Sequence, residues 1–336
     1  MKTLAVLLPT YNAAHFLNEA IDSILEQTFT DFDLYIIDDC STDNTKAVVD
    51  IYSDSRINYI KNNANLGLAA TLNKGIKKLA PNYKFITRMD ADDWSFPDRL
   101  EKQVSFLKSN LDLIMCGTQG YWLKEFQDRI QSPWKYPLSH EEIKYQLLFS
   151  ACFGHSSIMF RSELLNNNEI TYNESIKTCE DWDLWTRIIH ISKVANLTDF
   201  LMKYRIVDSS NHRSEENRKK HLKERSKVIA NYWNSFNIEC DEAFIHSVYF
   251  NENQKSKAEL KSDMLKLISM SNKLYLCASN ELNDSQLDRL KYRLLRNLKR
   301  TWKLSKVSKF SIDIWMLIFK NVTFSRVFNT LKTVVK

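Results

Sequence analysis

Over roughly its first 120 residues the chain alternates short apolar runs with amphipathic stretches, and nothing else in the sequence constrains its fold as much. LAVLL (Leu4–Leu8), DLYIID (Asp33–Asp38), a short run at INYI, YKFITRM (Tyr83–Met89) and DLIMCG (Asp112–Gly117) read as strands. Between them, FLNEAIDSILEQ sets Phe16, Ala20 and Ile24 at helical spacing. Further helices are expected from about Asn44, over GLAATLNKGIKKL, and over PDRLEKQVSFLKSN with Pro97 near the first turn. Such alternation predicts an α/β fold: a mainly parallel sheet flanked by helices, with right-handed crossovers. Ligands of such sheets bind at the carboxyl ends of the strands. Three polar clusters fall there: Pro9–Asn12 (PTYN), Asp38–Thr45 (DDCSTDNT) and Asp90–Asp93 (DADD).

From about Glu141 the pattern changes. EEIKYQLLF reads as helix, SSIMF as strand and EDWDLWTRIIHI as helix, and after about Ser214 only helical periodicity and charge remain. RIVDSSNHRSEEN is the best boundary, so residues 1–210 are expected to form the sheet-containing domain. Residues 211–336 are expected to be a helical region with a basic tail over 286–336. A hydrophobic fraction of 44% with 26% charge suits a soluble globular chain and excludes a disordered one. The longest apolar runs, such as DIWMLIFKNV, are about half a membrane span. MKTLAVLLPTYN meets polar residues and a proline too early for a signal peptide. Six cysteines without a CxxC pair argue against a zinc site or disulfide framework. A cytoplasmic location is expected. The net charge of +6 conceals a tail, Gln286–Lys336, with thirteen Lys or Arg against two Asp, and such a block suggests an anionic partner.

DADD puts Asp90, Asp92 and Asp93 into four positions after a strand. Carboxylates this close repel unless a cation lies between them. Mg²⁺ and Mn²⁺ are commonly held by one or two carboxylates, with substrate phosphates and water completing the shell. The chain has neither GxxxxGKS/T nor GxGxxG, and only five glycines. A bound nucleotide diphosphate would therefore need metal and side chains to neutralise it. The plainer reading makes these aspartates caps of the next helix, with Pro97 and Asp98 in its first turn. Further on, Glu180, Asp181 and Asp183 precede or open a helix whose apolar face includes Leu184, Ile188 and Ile191. Neighbours on a helix lie about 100° apart, so one of Glu180 and Asp181 can face a cleft while the other caps or pairs. A carboxylate in the cleft could act as general base toward a hydroxyl; an N-terminal cap beside buried tryptophans is an equal reading.

In this order, LLPTYNAAHFLNEAIDSILEQTF, DLYIIDDCSTDNT, NLGLAATLNKGI, MDADDWSFPDRLEKQVSFL, GHSSIMFRSELL and EDWDLWTRI resemble the family 2 glycosyltransferases of bacterial polysaccharide synthesis, which have a GT-A fold. The resemblance spans about Leu4 to Arg205. It implies that Pro9, Thr10 and Tyr11 line a nucleoside pocket, that Asp39 hydrogen-bonds the base, and that Asp90 lies near the ribose. It further implies that Asp92, with Asp93 beside it, binds Mn²⁺ or Mg²⁺ on the donor diphosphate. Asp181 would be the general base of an inverting displacement. Asn12, Glu180, Trp182, His155, Arg205 and His212 are further candidates. Arg205 reads as a phosphate contact or an ion-pair partner, and Trp134 as a sugar platform or a packed loop anchor. An Asp at a helix N-terminus should have a low pKa, so such a base would act mainly by position.

The implied partners are a nucleotide-sugar donor, with UDP-sugar favoured, and a glycan or lipid-linked acceptor. Without the QxxRW signature and membrane helices of processive synthases, one transfer per binding event is expected. In the tail, Leu287, Leu290, Leu294 and Leu298 share one face among basic residues. This suits a helix lying on an anionic membrane, hence a peripheral position on the cytoplasmic face, or a helix packed on the catalytic domain. No nucleic-acid motif accompanies the charge. Two other readings are a nucleotidyltransferase, whose Gly-rich basic loop LLPTYNAAHFL lacks, and an idle scaffold of glycan machinery.

Overall fold

The computed structural model describes residues 2–124, 130–166, 170–206, 215–250 and 255–304. The chain divides into two compact units, Met1–Ser214 and Glu215–Lys336.

The first unit is built on one nine-stranded sheet. Strands β1 (Lys2–Thr10), β2 (Phe32–Asp38), β3 (Ile57–Lys61) and β4 (Tyr83–Arg88) lie parallel in the order β3-β2-β1-β4. Helices α1 (Leu17–Leu25), α2 (Thr45–Asp50) and α3 (Leu68–Leu79) connect them. Leu4, Ala5, Val6, Leu7 and Leu8 of β1 are all buried, as an unbroken apolar run at the centre of a parallel sheet should be. Helix α1 buries Leu17, Ala20, Ile21 and Ile24 on one face. Helix α3 starts after Gly67, whose φ of 86° lies in the region glycine tolerates best.

Next come β5 (Trp94–Ser95), α4 (Arg99–Ser109), β6 (Leu113–Lys124), β7 (Ile130–Trp134) and α5 (His140–Gln146). A 3₁₀ turn (His155–Ser157), β8 (Met159–Arg161), α6 (Ser162–Asn166), α7 (Glu180–Ile188) and β9 (Lys193–Ile206) complete the unit. Beyond β4 the sheet runs β8-β6-β9-β5, with β7 on β6. This half is mixed: β8 is antiparallel to both β4 and β6, whereas β6 and β9 are parallel. The DLIMCG strand therefore does not follow β4 in the sheet. Three-residue β8, which arrives after the 3₁₀ turn, takes that place.

Two helix ends differ from the sequence expectation. Helix α4 begins after Asp98, and that residue makes no side-chain cap bond, so neither it nor DADD caps the helix. Helix α7 buries Leu184 and Ile188, but it ends at Ile188 and leaves Ile191 59% exposed.

The second unit contains α8 (Glu215–Asn234), α9 (Glu242–Tyr249), α10 (Lys257–Ala278) and α11 (Asp284–Leu304). Asp241 caps α9 through the Phe244 amide at 2.7 Å, and Ser256 with Glu259 forms a capping box on α10. Leu287, Leu290, Leu294 and Leu298 of α11 are buried, and α11 packs on α9 and α10. This corrects the membrane reading of that stripe: its leucines belong to the core of the helical unit and are not free to enter a bilayer. Periodicity reveals an apolar face but not what covers it. His212 and the tail beyond Leu304 lie outside the described residues. Among the described residues no helix is long and apolar enough to cross a membrane.

Candidate active site

The three strand-end clusters meet along one edge of the sheet. The ends of β1 and β2 stay joined, the Asp39 amide donating to the Thr10 carbonyl at 2.8 Å. Asn12, at a φ of 49°, accepts from the Thr42 amide at 2.9 Å, and its own amide donates to Ser41 Oγ at 2.9 Å. Pro9 and Thr10 are buried and Tyr11 is half-exposed. Thr10 Oγ1 is buried and makes no hydrogen bond among the described residues.

Asp39 is 5% exposed. Its Oδ1 accepts from Asn62 Nδ2 and the Leu66 amide, and its Oδ2 from the Gly67 amide, each at 2.8 Å. Burial alone would raise its pKa, but these donors outweigh burial and hold it below the usual carboxylate range. Asp39 therefore clasps the loop that leads into α3. The reading of the residues did not anticipate this, although Gly67 in NLG marked a turn there.

The carboxylates of DADD have three different environments. Asp90 is paired with Arg88, whose Nη1 donates at 2.8 Å, and it also accepts from Ser156 Oγ at 2.7 Å. Burial would raise the Asp90 pKa, but Arg88, then the Ser156 hydrogen bond, bring it below normal. Asp93 is buried, and burial followed by Asp92 and Asp90 raises its pKa well above normal. Its Oδ1 accepts from the Arg205 amide at 2.9 Å, and its Oδ2 meets Ser156 Oγ. One serine proton cannot serve two carboxylates. A protonated Asp93 donating to Ser156, which donates on to Asp90, satisfies the cluster. Asp92 is left over: its carboxylate accepts no hydrogen bond from another described residue. Burial, then Asp90, pushes its pKa up to about 6.

This arrangement fits a hard divalent cation, because a partly buried carboxylate with no donor from another described residue is stabilised by one. Among the described residues no cluster of three or more His, Cys, Asp or Glu could hold a metal, so phosphate and water would have to supply most of the shell. Arg205 is an anchor. Its Nη2 pairs with Glu19 at 2.5 Å, its Nε donates to the Asp92 carbonyl at 2.9 Å, and its guanidinium lies over Phe16. The ion pair expected of it is formed with Glu19.

Asp90 also reaches a cavity of about 290 Å³, whose wall includes His155, Glu180, Asp181, Trp122, Trp134, Tyr136 and Tyr204. Glu180 and Asp181 both face it, contrary to the expectation that one would turn away; in a first helical turn two neighbours can both point past the N-terminus. Asp181 accepts from the Trp182 amide at 2.6 Å, yet burial outweighs that bond and raises its pKa. The expectation of a low pKa from the helix terminus is thus overturned. Burial, then Asp181, pushes Glu180 up to about 7. Burial, then Arg88, drives the His155 pKa well below normal, so the ring is neutral and shares a hydrogen bond of 2.8 Å with the Tyr172 hydroxyl. Trp182 is buried outside the cavity, its Nε1 donating to the Leu147 carbonyl at 2.9 Å.

A sheet of this topology with carboxylates at its strand ends is that of the GT-A fold. Residues 5–167 match the family model described as Glycosyl transferase family 2. An uncharacterized glycosyltransferase of Haemophilus influenzae is 30% identical over 326 residues, covering 90% of this chain and 95% of that protein. The O-antigen biosynthesis glycosyltransferase WbnJ of Escherichia coli is 34% identical over 218 residues, 63% of this chain and 82% of WbnJ. Among solved structures, S. aureus TarS 1–349 in complex with UDP-GlcNAc superposes with a TM-score of 0.56 at 18% identity, covering 90% of each chain. The mannosyltransferase PcManGT of Pyrobaculum calidifontis, in complex with GDP-Man and Mn²⁺, gives 0.53 at 16% identity, covering 92% of this chain and 88% of that one. The chain belongs to glycosyl transferase family 2. It is a glycosyltransferase, and this decides against the nucleotidyltransferase and scaffold readings.

Proposed function

We propose that the chain moves a single sugar per binding event from a nucleotide-sugar, with UDP-sugar favoured, to a hydroxyl of a glycan or lipid-linked acceptor in polysaccharide synthesis, inverting the anomeric centre. The observation that carries this reading is the shared cavity, in which Asp90 from the end of β4 meets Glu180 and Asp181 from the start of α7. The UDP-GlcNAc of TarS, the GDP-Man and Mn²⁺ of PcManGT and the O-antigen role in the name of WbnJ support it.

In this reading the nucleoside lies along Pro9, Thr10, Tyr11 and Asp39, with the ribose near Asp90. Asp92, with Asp93 beside it, would hold Mn²⁺ or Mg²⁺, which when bound stabilises charge on the diphosphate. Asp181 takes the acceptor hydroxyl proton as that oxygen bonds to the anomeric carbon from the face opposite the diphosphate. The old carbon–oxygen bond breaks with its electron pair on the leaving oxygen. A raised pKa makes Asp181 a better proton acceptor than a solvated Asp would be. Neutral His155 adds no charge beside it.

Hydrolysis of UDP-, GDP- and dTDP-sugars, followed with Mn²⁺ and with chelator, tests the reading. Mn²⁺-dependent turnover of one donor class, UDP-sugars first, is expected. No turnover of any donor, or equal turnover in chelator, would sink it. The basic tail is proposed to hold the enzyme on anionic membranes by charge alone, since the α11 leucines are occupied. Cosedimentation with anionic vesicles should therefore vanish at high salt. Binding that persists at high salt would contradict a purely electrostatic contact.

A further inference from the structure

The stretch NLGLAATLNKGI, which forms α3, meets the proposed donor site only at its start, where Asp39 holds the Leu66 and Gly67 amides. Its later NKG triplet has other contacts. Gly75 lets α3 lie close on the sheet: a Cβ there would come within 2.6 Å of Leu7 Cδ1 and 2.8 Å of Ile37 Cδ1. Two positions earlier, Asn73 holds the segment that leads towards α7. Its Oδ1 accepts from the Tyr172 amide at 2.8 Å, and its Nδ2 donates to the Tyr172 carbonyl and to Glu174 Oε1, each at 2.9 Å. A side-chain amide can serve the N–H and C=O of one residue as a neighbouring strand would. Tyr172 is 2% exposed, so both of its backbone groups need such partners.

The other edge of the same peptide is held from α7. Arg187 Nη2 donates to the Thr171 carbonyl at 2.6 Å and pairs with Asp183 at 2.9 Å. The Thr171 carbonyl and the Tyr172 amide belong to one peptide unit, which is planar and points them in opposite directions. Helices α3 and α7 therefore grip one rigid plane from its two sides. The segment after it is folded on itself, with Asn173 Oδ1 accepting from the Ser175 amide at 3.1 Å and the Ile176 amide donating to the Asn173 carbonyl at 3.0 Å. Helix α7 cannot slide or turn against α3 without breaking one of these bonds or moving that peptide. The first turn of α7 carries Glu180 and Asp181.

We propose that Asn73 and Arg187 are positioning residues for the transfer: through the Thr171–Tyr172 peptide they set the place of α7, and hence of Asp181, against the sheet. This rests on Asp181 as the base in the reading above. Neither side chain lines the cavity, and neither is among the donors that hold Asp39. Their loss should accordingly appear in turnover and not in donor binding. A misplacement of about 1 Å at a reacting group can cost on the order of 10²-fold in rate.

The test uses the full chain with Mn²⁺ and the nucleotide-sugar that the parent turns over fastest. Donor hydrolysis, with water in the acceptor's place, gives kcat and KM, and calorimetry gives UDP affinity. Asn73→Ala should lower kcat about tenfold or more and leave KM and UDP affinity within about twofold of the parent. Arg187→Lys keeps a cation beside Asp183 but loses the fork that also reaches Thr171. It should lower kcat in the same selective way, and it serves if Asn73→Ala fails to fold. The double variant should be little worse than the worse single one, because both break the same link. In an Asp181→Asn background, Asn73→Ala should cost nothing further. The proposal is overturned if either folded variant keeps kcat within about twofold of the parent, or if UDP affinity falls along with kcat. It is also overturned if Asn73→Ala lowers turnover as much without the Asp181 carboxylate as with it. An Asp181→Asn enzyme as active as the parent is a different result: the base itself is then misassigned, and the proposal falls with it.

Discussion

At the scale of single residues, the chain places three neighbouring aspartates in three electrostatic states. Arg88 holds the Asp90 pKa below normal, burial raises that of Asp93 between Ser156 and the Arg205 amide, and Asp92 accepts no side-chain hydrogen bond from another described residue. Asp92→Ala should therefore abolish the Mn²⁺ dependence of nucleotide-sugar binding while barely changing the fold; calorimetry with and without Mn²⁺ checks this, and unchanged metal-dependent affinity would show the assignment to be wrong. A pH dependence follows as well. Asp92 and Glu180 bind protons up to about pH 6 and about pH 7 in the folded chain, against about 4 when unfolded. Their contribution to stability is present below pH 4 and is lost as pH rises toward 7. In chelator, the melting temperature should fall between pH 5 and pH 8, and Glu180→Gln should flatten that fall. A rise over the same range would contradict these shifts. The trio itself was legible in the sequence because it follows an apolar run. Its partners were not, since Ser156 comes 66 residues after Asp90. Arg88 was within reach: residues two apart share a strand face, so an arginine two before Asp90 was a visible pairing signal.

At the scale of elements, the four parallel strands and the crossover helices followed from periodicity, because each element buries one continuous stripe. The second half of the sheet did not. Strand β8 has three residues, too few to show a period, and its place between β4 and β6 depends on a long connection. The cavity carboxylates of α7 were legible as a pair, but their raised pKa was not, because burial outweighs the helix-terminus effect. The glycine of β6 offers a test of the aromatic wall. A strand glycine replaced by alanine usually gains about 0.5–1 kcal/mol. At Gly120 the new Cβ would collide with the Trp134 ring and lie 2.6 Å from the Met202 carbonyl. Gly120→Ala should instead cost about 1–3 kcal/mol and change the near-ultraviolet aromatic signal. An unchanged or higher melting temperature would mean that Trp134 is not held there.

At the scale of the whole molecule, the chain separates a catalytic unit from a basic helical one. The amphipathic stripe of α11 was plain in the sequence, yet a stripe buried against protein and one buried in lipid have the same period. Its four buried leucines each contribute about 1.5–3 kcal/mol, together comparable to the stability of a small domain. A chain ending at Asp284 should consequently lose helical signal beyond that of α11 itself, with early proteolysis in 215–284. A truncated chain that keeps α8 to α10 intact would show that α11 is only an attachment.

The central claim is that Asp181 is the base of a sugar transfer at the cavity it shares with Asp90, and turnover by Asp181→Asn tests it most directly. On the nucleotide-sugar that the parent turns over fastest with Mn²⁺, the variant should bind donor as the parent does and lose on the order of 10²–10⁴-fold in turnover. A variant that keeps more than about a tenth of parental turnover would contradict the account.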